Sequence, residues 1–123
     1  MIGPESELAA QFVIEVAVRD IQRSVAFYTA LGFSLSRRTS GFAVLQWHDQ
    51  LLFLDEQKDL APSDSVRANL RILVDDVDAI WGLAQRLQLR IHQTIGNRYY
   101  GLRDFTILDP DGFGLRFAAR LTT

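Results

Sequence analysis

The pattern of strands and helices in this chain repeats with an offset of 56 residues. Ile14 aligns with Leu70, and Asp20 aligns with Asp76. Each copy begins with a β-branched strand, continues with a helix behind an aspartate that can cap it, and ends with three strand candidates. A repeat constrains the fold strongly, because each copy needs the other to bury its apolar face. We therefore predict an α+β fold of tandem βαβββ modules, with curved mixed sheets that form a groove and helices on the outer face.

The periodicity also predicts the boundaries of the elements. Strands are expected at residues 12–18, 33–37, 42–47, 50–54, 69–74, 89–93, 104–108 and 115–119. The first helix follows Asp20 and ends at Gly32, and the second follows Asp75 and Asp76. We predict one domain over residues 1–123, with module one at about 12–58, a polar linker at about 59–68 and module two at about 69–121. A ferredoxin-like sandwich is the alternative, but it accounts less well for the strands after each helix.

Composition excludes several classes of protein. The 123 residues are 48% hydrophobic, which is enough for one ordinary globular core. The chain has no cysteine, so disulfides, iron–sulfur clusters and thiolate zinc sites are excluded. A net charge of −2 argues against a nucleic-acid partner, and no apolar run approaches the roughly 20 residues of a membrane span. Residues 1–7 lack the pattern of a secretory signal, so we expect a cytoplasmic protein.

Two blocks of sequence resemble the vicinal oxygen chelate superfamily, which includes glyoxalase I, extradiol dioxygenases and bleomycin-resistance proteins. The first block is VRDIQRSVAFYTALGF at residues 18–33, with an aspartate, an aromatic pair and Leu-Gly-Phe in order. The second block runs from Gly101 to Gly112 and ends in the turn Asp-Pro-Asp-Gly. The resemblance covers about residues 12–119 and implies the tandem βαβββ fold of that family.

The resemblance also implies where a divalent metal would bind in an enzyme of this family. The four ligand positions, usually His, Gln or Glu, correspond here to Val13, Phe53, Asn69 and Arg116. Valine and phenylalanine have no donor atom, and the fixed charge of arginine opposes a cation. We therefore predict no metal, no cofactor and no catalytic residue. This likeness is closest to the metal-free bleomycin-resistance type, whose members are dimers that sequester a drug between subunits; the stretches starting at Pro62 and Tyr99 resemble that type.

Strand alternation indicates which side chains line the groove, because Ile14, Val16 and Val18 are expected to face the helix. The predicted ligand-binding residues are Val13, Glu15, Trp47, Phe53, Asn69, Arg71, Tyr99, Tyr100 and Arg116. Two arginines against one glutamate favour a ligand that joins an anionic group to an aromatic or partly apolar part. In the competing interpretation, Glu15 pairs with Arg71 or Arg116, and Trp47 and Phe53 belong to the core.

We expect a metal-independent small-molecule binding protein rather than an enzyme. The alternative is a lyase, isomerase or dioxygenase of the same fold, with Glu15 as base and Arg71 or Arg116 as anion stabiliser, or with an unrecognised metal site. A third possibility is an interaction domain with a blocked groove. Edge strands need partners, so we predict a homodimer; the sequence leaves open whether residues 1–11 cross to the partner. His48 is interpreted as a surface histidine.

Arg103 matches a position that is often arginine in the family. Its interpretation is structural: we expect it to bridge to one of the nearby aspartates, Asp104, Asp109 or Asp111. It is therefore not among the predicted ligand-binding residues.

Overall fold

The computed structural model describes residues 12–61 and 68–122. Its elements are β1 (Ile14–Val18), α1 (Ile21–Leu31), β2 (Ser34–Arg38), β3 (Phe42–Trp47), β4 (Gln50–Glu56), β5 (Asn69–Leu73), α2 (Val77–Arg86), β6 (Arg90–Asn97), β7 (Leu102–Leu108) and β8 (Gly114–Arg120). They form two four-stranded sheets, with strand orders β1-β4-β3-β2 and β5-β8-β7-β6. In each sheet the first strand is parallel to the last, and the other pairs are antiparallel. The predicted α+β fold of tandem βαβββ units is confirmed.

Both helices begin as the sequence predicts. The side chain of Asp20 accepts the backbone N–H of Arg23 at 3.1 Å, and that of Asp76 accepts the N–H of Ala79 at 3.1 Å. Helix α1 ends at Gly32, whose φ of 116° lies in the left-handed region that favours glycine. In the part of the chain that the structure describes, neither helix has the length and apolarity needed to cross a membrane.

The helix-covered faces of the two sheets meet in one apolar core. Tyr28 of α1, Leu45 of β3 and Phe117 of β8 are all fully buried in it. The ring centres of Trp47 and Phe117 lie 6.2 Å apart, so side chains from the two sheets are in contact. Phe105 stacks on Phe117 with ring centres 5.7 Å apart. The opposite face of each sheet therefore points away from the shared core.

Two local expectations are wrong. Ile14 does not share the burial of Val16 and Val18: it is 42% exposed, because it begins an edge strand at the open end of the core. The strand predicted to end at Gln93 continues to Asn97, because irregular pairing with β7 extends it into the predicted loop. The module boundaries stay a prediction, and residues 62–67 of the predicted linker, with the resemblance that starts at Pro62, lie outside the described residues.

Candidate functional site

Arg71 and Arg116 stand side by side on the face of the second sheet that points away from the helices and the core. They are register partners on the parallel strands β5 and β8. Their sequence neighbours Ile72 and Phe117 point into the core, so both arginine side chains point away from it. Like charges directly opposite one another destabilise a sheet. Neither arginine forms an ion pair with an acidic group among residues 12–61 and 68–122, so within these ranges the two arginines have no direct counter-ion.

Asp104 supplies a buried carboxylate on this face, and it is bound by Arg98 and Tyr100 rather than by Arg71 or Arg116. Asp104 of β7 is fully buried; Arg98 Nε donates to its Oδ1 at 2.7 Å, and the Tyr100 hydroxyl donates to its Oδ2 at 2.7 Å. Burial raises the pKa of Asp104, but the hydrogen bonds from Arg98 and Tyr100 and the charges of Arg98 and Arg116 outweigh it and leave the pKa below its usual value. Asp104 is therefore ionised at neutral pH, with both oxygens engaged.

The two arginines are positioned by different neighbours. Arg116 Nε donates to the hydroxyl of the buried Thr106 at 3.1 Å, which fixes the direction of its guanidinium. Arg71 Cζ lies 6.0 Å from the centre of the Tyr100 ring, a separation at which a cation is attracted to the ring face. The hydrogen bond to Asp104 raises the pKa of Tyr100, so its phenol stays protonated. Tyr100 therefore links the buried acid to the arginine pair.

An exposed aromatic ring lies beside this charged face. Tyr99 is 99% exposed, and its ring packs edge-on against Tyr100 with centres 5.1 Å apart. An exposed ring next to guanidinium groups offers a stacking surface for a flat ligand that carries a negative charge.

A cavity of about 550 Å³ opens at the end of the shared core, next to β5. It is lined by Phe12, Ile14, Phe33, Trp47, His48, Asp49, Gln50, Leu51, Leu52, Leu70, Arg71, Ile72 and Leu73. Four consecutive residues of β5 contribute because this strand has a neighbour on one side only, so its free edge forms a wall. The volume falls within the range of small-molecule pockets. Arg71 is the one residue that both lines this cavity and belongs to the arginine pair.

The predicted ligand-binding residues divide between the two sheets. The second sheet and its β6–β7 turn carry Asn69, Arg71, Tyr99, Tyr100 and Arg116. Glu15, Trp47 and Phe53 belong to the first sheet, and Val13 directly precedes its strand β1. Trp47 and Arg71 both line the cavity. Trp47 also packs on Phe33, so it belongs both to the cavity wall and to the edge of the core. Glu15 and Phe53 are register partners on the far face of the first sheet. The nine residues therefore do not form a single groove within one chain.

Ion pairing distinguishes between the sequence interpretations at two positions. Glu15 forms no ion pair within the described ranges, so the competing interpretation, in which it pairs with Arg71 or Arg116, is not supported there. Arg103 pairs with Asp78 at 2.8 Å instead of with Asp104, Asp109 or Asp111, because its side chain reaches the first turn of α2. His48 is exposed in the turn between β3 and β4, as predicted, although it also lines the cavity.

Sequence reasoning missed three residues of this site: Arg98, Asp104 and Thr106. Strand alternation along β7 would have placed Asp104 and Thr106 on the same face, since Phe105 between them is a core residue. No sequence pattern predicts the hydrogen bond from Arg98 to Asp104, because it depends on how the β6–β7 turn folds back.

The four positions that the resemblance assigns to metal ligands do not fit a metal ion. The side chains of Val13 and Phe53 offer no donor atom, and Phe53 lies on a different sheet from Asn69 and Arg116. Arg116 brings a positive charge held in place by Thr106. Within the described ranges, no three His, Asp or Glu side chains come together in a group that could hold a metal.

Comparison with known proteins gives consistent matches over most of the chain. Residues 10–117 match the Glyoxalase/Bleomycin resistance protein/Dioxygenase superfamily. A bleomycin resistance protein of Geobacillus stearothermophilus is 29% identical over 118 residues, covering 82% of this chain and 89% of the relative. A glyoxalase/bleomycin resistance protein/dioxygenase from Alicyclobacillus acidocaldarius has a TM-score of 0.78 at 22% identity, covering 90% of this chain and 91% of its own. A bleomycin-binding protein complexed with bleomycin has a TM-score of 0.74 at 25% identity, covering 90% and 98%.

Proposed function

Because this chain belongs to the glyoxalase/bleomycin resistance protein/dioxygenase superfamily, we propose that it is a small-molecule binding protein that sequesters its ligand without a metal or cofactor. The relative named for bleomycin resistance and the structural neighbour with bleomycin bound support a drug-binding role. The chemistry of Val13, Phe53 and Arg116 supports metal independence, because none of these side chains suits a divalent cation.

The ligand in this proposal joins an apolar or aromatic part to an anionic group. The observation that carries it is the position of Arg71, which lines the cavity together with apolar side chains such as Trp47 and stands beside Arg116. An apolar group that enters the cavity gains about 25 cal/mol for each Å² removed from water. A carboxylate at the arginine pair gains charge-assisted hydrogen bonds and relieves the repulsion between the guanidinium groups. The same pair disfavours a cationic drug.

The proposal includes a homodimer. Strands β1 and β5 each have one free edge, and the apolar residues Ile14 and Leu73 on them are 42% and 50% exposed. A second copy would cover these edges and add a wall to the site. Residues 1–11, whose crossing to the partner the sequence leaves open, lie outside the described residues. The cytoplasmic location also stays a prediction, which fractionation of the producing cells would test.

A panel of aromatic acids and their neutral amides tests the ligand class, with naphthoate and naphthamide as the first pair. We expect the acid to raise the melting temperature and the amide to do so much less. Arg71→Met should abolish the difference, whereas Arg120→Met, at the exposed end of β8, should not. An acid that binds no better than its amide would overturn the anionic ligand. Conversion of a probe that is lost in Glu15→Gln would favour the enzyme alternative.

A further inference from the structure

We infer that Arg98 is a positioning residue that sets the charge preference of this site: by holding Asp104, it keeps that carboxylate from neutralising Arg71 and Arg116. The inference rests on the proposed anionic ligand and names the residue that makes the site selective for it. Arg98 does not itself belong to the arginine pair; it acts through Asp104.

Asp104 is placed to compete for Arg116. In the pairing of β7 with β8, Thr106 lies opposite Arg116, and Asp104 is two residues from Thr106 on the same face. Asp104 and Arg116 are therefore diagonal neighbours, and long side chains reach one another across such a diagonal. The charge of Arg116 already helps to lower the pKa of Asp104. Without its present partners, Asp104 would be the natural counter-ion of Arg116.

Arg98 prevents this with hydrogen bonds that orient its whole guanidinium. Nε donates to Asp104 Oδ1 at 2.7 Å, and Nη2 donates to the backbone carbonyls of Thr94 at 2.6 Å and Asp104 at 3.0 Å. The guanidinium packs over Gly96, where an added Cβ would lie 3.1 Å from Arg98 Nη1. A glycine at this position thus leaves the room that the guanidinium occupies.

Tyr100 engages the other carboxylate oxygen. Its hydroxyl donates to Asp104 Oδ2 at 2.7 Å, while its ring lies beside the guanidinium of Arg71. Both oxygens of Asp104 are consequently occupied, and its charge is compensated within the sheet. The positive charge of Arg71 and Arg116 is left for a ligand, although an aspartate lies on the same face.

The test compares naphthoate with naphthamide by isothermal titration calorimetry in Arg98→Met. We expect the affinity for the acid to fall at least tenfold while that for the amide changes little, because Asp104 then pairs with Arg116. Adding Asp104→Asn to Arg98→Met should restore the preference for the acid, and Asp104→Asn alone should strengthen acid binding. Arg90→Met, which alters an exposed arginine at the start of β6, is the matched control.

The outcomes separate this inference from the proposed function. If wild-type protein shows no preference for the acid, the proposed ligand class is wrong and the inference falls with it. If wild type prefers the acid but Arg98→Met weakens both probes equally, with no rescue by Asp104→Asn, Arg98 has only a structural role. If Arg98→Met does not fold, Gly96→Ala replaces it, because the added Cβ crowds the same guanidinium. The inference would be overturned if Gly96→Ala kept the preference for the acid and Asp104→Asn bound the acid as wild type does.

Discussion

The hydroxyl of Tyr28 donates a 2.8 Å hydrogen bond to the carboxylate of Asp109, and both side chains are fully buried. Tyr28 belongs to α1, whereas Asp109 follows β7, so this bond joins the two βαβββ units across the core. The other oxygen of Asp109 accepts the backbone N–H groups of Asp111 and Phe113 at 2.8 Å each. Burial and the charge of Asp109 raise the pKa of Tyr28 well above its usual value, so the phenol remains a donor.

Replacing Tyr28 with phenylalanine should destabilise the protein by about 1–3 kcal/mol, because it leaves one oxygen of a buried carboxylate without a donor. The free energy of unfolding in urea measures this loss. Tyr99→Phe is the matched control: its hydroxyl is on a 99% exposed side chain, so its removal should change stability by less than about 0.5 kcal/mol. Equal effects of the two substitutions would mean that the Tyr28–Asp109 bond contributes nothing.

Asp109 should also make stability depend on pH. Burial raises the pKa of this carboxyl, and its hydrogen bonds only partly offset the rise. A folded pKa above the unfolded value of about 3.9 means that the contribution of Asp109 is greatest at acid pH and declines as pH rises through the folded pKa. Asp109→Asn cannot ionise, so its stability relative to wild type should increase from about pH 4 to pH 7. Urea titrations across that range would contradict the assignment if the relative stability of the variant fell.

Gly32 should tolerate no side chain. Its φ is 116°, and an added Cβ would lie 3.3 Å from Cζ3 of Trp47. Gly32→Ala therefore combines backbone strain with crowding of a ring that lines the cavity, and we expect a loss of more than about 1 kcal/mol. At Gly41 the nearest atom to an added Cβ is 3.9 Å away on Glu56, an ordinary contact. Thermal unfolding should thus show a clearly lower melting temperature for Gly32→Ala than for Gly41→Ala.

A charge on the free edge of β5 should dissociate the proposed dimer. Leu73 is 50% exposed on that edge, and burying a glutamate there without a partner is unfavourable. Sedimentation velocity should show a dimer for wild type and a monomer for Leu73→Glu. Leu87→Glu alters a leucine of similar exposure at the end of α2 and should leave the dimer intact. A wild-type monomer at all micromolar concentrations would refute the dimer.

Periodicity and capping were enough to predict the architecture. Asp20, Asp76 and Gly32 act on backbone groups within a few residues, so the helix ends follow from short stretches of sequence. The repeat implied two equivalent units, and the two sheets confirm it. The extension of β6 to Asn97 escaped this reasoning, because it depends on pairing with β7 rather than on a local pattern.

The candidate site could be predicted only by residue type and strand face. Alternation placed Arg71 and Arg116 on one face, and the two residues are register partners on β5 and β8. The cavity beside Arg71, and the hydrogen bonds that engage both oxygens of Asp104, could be found only from the tertiary structure. Arg103 illustrates the reason: its partner Asp78 is 25 residues away, and nearer aspartates were equally plausible from sequence. Element type is decided by interactions over a few residues, whereas charge partners and cavities are decided by contacts between distant segments.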